Sequence, residues 1–147
     1  KDGELTDMPD DILINKDEII KRYINRIKEV YDGDFQNLKD YIKQDSVILN
    51  IQRLCEATID IAMHVIAKYD LGVPQTSRDA FEILNKEEFI DEKLAEKLKA
   101  MVGFRNLAVH EYQKINLKIV KSIIEKELDK IERFIEVIKD EVKKHSS

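Results

Sequence analysis

Tryptophan is absent from this chain, cysteine occurs once, proline twice and glycine four times in 147 residues. The single thiol, Cys55, cannot close an internal disulfide, and no Cys/His group has the spacing of a structural zinc site. A disulfide-stapled scaffold is thereby excluded, and a reducing cytoplasm is the natural setting. No apolar run approaches the roughly 20 residues needed to span a bilayer, and the first residues lack the basic-then-apolar layout of a signal peptide. A soluble intracellular protein is expected. The scarcity of Gly and Pro removes the punctuation that many-stranded folds require, while Ile, Leu, Lys and Glu favour long helices. A chain of this length forms one domain and buries roughly 70% of its unfolded surface without staples.

A positive excess is also missing. Lys and Arg total 25 against 30 Asp and Glu, a net charge of -5, whereas proteins that grip phosphate normally cluster cations. Residues 1–18 hold seven acids against two lysines, which accounts for the whole of that -5. The remainder is neutral, which leaves room for a basic cleft if the acids face outward and does not require one.

Residues 1–16 show no helical period and the chain starts without Met, so this stretch reads as a flexible or incomplete N-terminal segment ahead of a helical domain over 17–147. From Asp17 the apolar positions Ile20, Tyr23, Ile24, Ile27, Val30 and Tyr31 recur at three and four, one face of an amphipathic helix that Gly33 ends. A short stretch with Phe35, Leu38, Tyr41 and Ile42 follows, after which Asp45 or Ser46 is expected to cap a long central helix from Val47 to Tyr69. Gly72 and Pro74 close it. Ser77 is expected to cap a short helix, Asp91 a longer one, and Asn116 a final helix striped from Ile119 to Val142. The implied fold is all-α: an antiparallel bundle of four main helices with short helical inserts.

Three chemically capable side chains, Arg105, His110 and Tyr112, crowd one stretch of the sequence. A five-residue step turns a continuous helix by about 140°, so Arg105 and His110 would not share a face, while Asn106 and His110 would. The stretch is therefore expected to be kinked or to lie near a helix end. Taken alone, each residue has a plain structural reading. His110 would be a hydrogen-bonded structural imidazole, Arg105 an ion-pair partner of Glu111 or a neighbouring helix, and Tyr112 a packing aromatic. Arg78, after a loop, either meets a phosphate or braces the loop against Asp79 or Glu82. Asp60 and His64, with Glu56, form a polar stripe that suggests a metal site but is better read as a hydrogen-bonded pair fixing the central helix. His145 lies in a polar tail and is expected to be solvated.

The segment from Met101 to Tyr112 resembles the Arg-(four residues)-His-x-Tyr signature of HEPN-domain toxins, in particular the HepT type that pairs with MntA-type minimal nucleotidyltransferase antitoxins. Two further blocks, Glu56–His64 and Gly72–Leu84, resemble the family's central helix and the loop and helix after it, so the likeness extends over about residues 17–140. The resemblance implies a HEPN-like homodimer in which Arg105 and His110 of both copies line one cleft that cleaves RNA, with no metal and no cofactor, and in which Asn106 supports either His110 or the phosphate. It also implies the toxin of a type VII-like toxin–antitoxin pair, silenced when the partner antitoxin attaches AMP to Tyr112. Physical chemistry suits such an arrangement. Attack by a ribose 2'-hydroxyl needs a base, an acid and a cation beside the negatively charged phosphorane, and two imidazoles, which ordinarily titrate at about pH 6.5, divide the first two tasks. The alternative is a non-catalytic nucleotide- or RNA-binding HEPN subunit that docks a nucleotidyltransferase; a helical dimerisation protein is a third reading.

Overall fold

Every α-helix that starts from a loop does so where an Asp, Asn or Thr oxygen takes up a backbone N–H that the first turn leaves without a partner. In the computed structural model, which describes residues 10–146, α1 (Asp11–Tyr31) is capped by Asp10, whose carboxylate accepts from the Leu13 amide at 3.0 Å. α1 thus begins at Asp11 rather than at Asp17: the cap precedes the apolar stripe, and Leu13 falls on the same buried face as Ile20, Ile24 and Ile27. Residues 1–9, the rest of the expected N-terminal segment, lie outside the described residues.

A left-handed pair, Asp32 (φ 50°) and Gly33 (φ 69°), turns the chain into a 3-10 turn at Phe35–Lys39. α2 (Tyr41–Lys68) is then capped by Asp40, not by Asp45 or Ser46, because Asp40 already accepts from the Lys43 amide at 3.1 Å. Tyr41 and Ile42 consequently sit on the first turn of α2 at 79% and 83% exposure instead of seating the short element. α3 (Ser77–Lys86) is capped by Thr76 rather than Ser77, α4 (Glu92–His110) by Asp91 and α5 (Leu117–Ser122) by Asn116. Between α5 and α6 (Leu128–Ser146) the helix widens into a π-turn at Ile123–Glu127. That turn sets Glu125 where its carboxylate accepts from the hydroxyl of the buried Tyr31 on α1.

The four long helices, α1, α2, α4 and the α5–α6 unit, form the expected antiparallel bundle, with α3 and the 3-10 turns as inserts. α2 is central. Its Val47, Ile48, Ile51, Leu54, Ile61 and Val65 are fully enclosed, as are Ile20, Ile24 and Ile27 of α1, the helix packed against it, and burying such side chains contributes roughly 1.5–3 kcal/mol each. Phe81 of α3 meets Phe134 of α6 edge-on at 5.7 Å, which ties the insert to the bundle. Among the described residues, no helix is long and apolar enough to cross a membrane.

One polar expectation resolves differently. Asp60 and His64 do not pair with each other. Asp60 bonds Lys16 at 2.9 Å, and His64 Nε2 meets the carboxylate of Asp10 at 2.8 Å, joined there by Lys68 at 3.0 Å. The polar stripe of α2 therefore fastens the start of α1. Burial pushes the Asp10 carboxyl up, but hydrogen bonds from His64, the Leu13 amide and Lys68 outweigh it and hold the group at about 2. His145 is exposed, as expected, and because α6 continues as a regular helix to that point its ring also stacks on Phe89 at 4.6 Å and leans on Tyr69 at 5.3 Å.

Candidate active site

α4 turns Leu94, Leu98, Met101, Val102 and Ala108 into the core; Arg105, four residues after Met101 and three before Ala108, shares that inward phase, Asn106 lies half-buried beside it, and His110 falls on the outer, exposed side. Arg105 is largely enclosed, its side chain 21% exposed. Its Nε donates to Asn106 Oδ1 at 2.9 Å and its Nη2 to Ser77 Oγ at 3.3 Å, while Nη1 stands 4.0 Å from Glu56 of α2. Glu111, the alternative partner, is taken by Lys114 at 2.9 Å. The guanidinium is thus oriented chiefly by neutral oxygens, and with five N–H groups it keeps donors for a bidentate phosphate contact. Asn106 orients Arg105 rather than His110.

His110 is the last residue of α4. Glu111 leaves helical geometry (φ -142°, ψ 52°) although its amide still bonds Leu107 O at 2.8 Å, so the stretch lies at a helix end, as the spacing required. The His110 imidazole is exposed and hydrogen-bonds no described residue, in contrast to the structural-histidine reading. The chain then forms a 3-10 turn at Tyr112–Lys114. Tyr112, 38% exposed, donates its hydroxyl proton to Asp45 on the second turn of α2. Burial, and then the hydrogen bond to that carboxylate, push the phenol up to about 12.

Arg78, on the first turn of α3, lies across α4 where Gly103 offers no side chain. Its Nε donates to Lys99 O at 3.4 Å, and a Cβ on residue 103 would stand 2.7 Å from its Nη2. The brace against Asp79 or Glu82 does not form, since Asp79 accepts from the Gln75 amide at 2.9 Å and Glu82 pairs with Lys99. Arg78 of α3 therefore lies against the second half of α4, the half that carries Arg105, and the start of α3 supplies both Arg78 and the Ser77 hydroxyl that steadies Arg105.

Sequence reasoning missed Ser77 and Asp45 as members of this cluster, reading both as helix caps. Neither carries a local signal, because their partners lie 28 and 67 residues away. Among the described residues, no group of three or more His, Cys, Asp or Glu side chains is arranged to hold a metal ion.

Comparison with known proteins adds to this geometry. The family profile described as Ribonuclease HepT-like matches residues 20–138. The chain is 51% identical over 131 residues to the mRNA nuclease HepT of Shewanella oneidensis, covering 89% of this chain and 98% of that one. It is 31% identical over 118 residues to the tRNA nuclease HepT of Aphanizomenon flos-aquae, covering 76% and 77%. Among solved structures it resembles the tri-AMPylated Shewanella oneidensis HEPN toxin in complex with MNT antitoxin, at 51% identity and a TM-score of 0.85 over 90% of this chain and 99% of that one. A toxin–antitoxin crystal structure with AMP-PNP matches with the same identity and TM-score over 89% and 99%.

Proposed function

Because the chain belongs to the HepT-like ribonuclease family, we propose that it is the ribonuclease toxin of a toxin–antitoxin pair, acting in the cytoplasm and cutting RNA through Arg105 and His110 without a metal ion. One observation carries the assignment of residues: Arg105 is held with donors to spare, five residues from an exposed His110 whose imidazole has no partner among the described residues. The reaction is attack of a ribose 2'-oxygen on the adjacent phosphorus. Arg105 holds the non-bridging oxygens and stabilises the charge of the phosphorane; Arg78, alongside it, contacts the neighbouring phosphate. Each chain offers one imidazole here, and base and acid must act on opposite sides of the phosphorus. The working unit is therefore a homodimer in which His110 of one copy removes the 2'-proton and that of the other protonates the leaving 5'-oxygen.

Silencing follows from the same address. The partner is a minimal nucleotidyltransferase antitoxin that attaches AMP to Tyr112, two residues beyond His110. Each AMP adds bulk and a phosphodiester charge that occupies Arg105 and repels RNA. Purified protein should cut RNA in EDTA, and His110→Ala should cut at background level with an unchanged circular-dichroism spectrum. Full activity in that variant would overturn the assignment.

A further inference from the structure

Nucleotidyl transfer to Tyr112 requires a phenol to act as nucleophile, and a neutral phenol is a weak one. No base of the segment around it is bonded to the hydroxyl: Glu111 is held by Lys114, and neither the unpartnered His110 nor Gln113 makes a hydrogen bond to it. The hydroxyl instead points at Asp45, brought in from α2 across 67 residues of sequence. Asp45 is exposed and, among the described residues, makes no ion pair, so its carboxylate serves Tyr112 alone. Tyr112 as a whole is 38% exposed, so the residue is within reach of an incoming nucleotide.

We propose that Asp45 aims the Tyr112 hydroxyl for nucleotidyl transfer and accepts its proton as it reacts. This rests on the reading that Tyr112 is where AMP is attached. In the step, the phenolic oxygen attacks the α-phosphorus of a nucleoside triphosphate. The Tyr112 oxygen–phosphorus bond forms, the bond from that phosphorus to the bridging oxygen breaks, pyrophosphate departs, and the phenolic proton passes to an Asp45 oxygen. Asp45 does not ionise the phenol beforehand. Burial and then the nearby carboxylate both favour the protonated hydroxyl, which is the direction of the shift in Tyr112. Proton loss therefore accompanies bond formation. Once the ester is made, the oxygen has no proton to donate, and the new phosphodiester is repelled by any Asp45 carboxylate that re-ionises, which turns the modified residue away from α2.

The discriminating substitution is Asp45→Asn, which keeps an acceptor oxygen for a structural tether but cannot take up a proton. The first AMP adduct is timed by intact mass, with ATP and a saturating minimal nucleotidyltransferase antitoxin. Asp45→Asn should slow its appearance by about 100-fold or more, the scale of general-base catalysis, and Asp45→Glu should recover most of the rate. Labelling of Asp45→Asn at the wild-type rate, with Tyr112→Phe unlabelled, would overturn the proposal and leave the site of attachment standing. Wild-type labelling of Tyr112→Phe would overturn both.

Discussion

Arg105 and His110 were legible in the sequence because their signature is local, six consecutive residues of one helix end. What steadies Arg105 and Tyr112 was not. Ser77, Glu56 and Asp45 reach the cluster through packing, and no short-range spacing announces them. Asp10 is similar: nothing in its neighbourhood foretells His64 and Lys68, which meet it from 54 and 58 residues away. Its folded carboxyl lies at about 2, below the ordinary 3.8. The stabilisation from ionised Asp10 is therefore complete above pH 4 or so and disappears as pH falls through about 2. Asp17, enclosed and bonded to Lys139 and Lys21, is shifted in the same direction despite its burial. Asp10→Asn preserves a good helix cap and removes only the charge. It should cost about 2 kcal/mol at pH 7 by urea denaturation, with the gap from wild type closing as the titration approaches pH 2.

The caps of α4 and α5 were legible because Asp91 and Asn116 have no rival next to them, whereas Thr76 and Ser77 are adjacent hydroxyls that local rules cannot rank. Tertiary contact decides there: Thr76 takes the Asp79 amide at 3.0 Å and frees Ser77 for Arg105. Gly103 gives the sharpest separation of stability from activity. A mid-helix Gly→Ala change gains roughly 0.5–1 kcal/mol of helix stability, and the group in its way is the far end of a flexible Arg78. Gly103→Ala should therefore melt no lower than wild type in a thermal scan. Its RNA cleavage should drop toward that of Arg78→Ala, since the guanidinium is pushed off α4. Equal activity of Gly103→Ala and wild type would mean that Arg78 contributes nothing from its position there.

At the scale of the whole molecule, the period of the apolar residues sufficed to indicate a four-helix bundle, because each stripe must be covered by another. The composite cleft belongs to the same scale, and mixed dimers test it. Wild-type and His110→Ala chains carrying different tags, purified as heterodimers, should cut RNA at background level if the two imidazoles share one reaction, and at about half the wild-type rate if each copy works alone. The π-turn at Ile123–Glu127 holds one residue more than an α-turn. As length this is negligible, but as phase it offsets α5 from α6 by about 100°. A relative lacking that residue carries its deletion inside regular helix rather than in a loop. It must either rotate α5 about its own axis or give up the carboxylate that meets Tyr31.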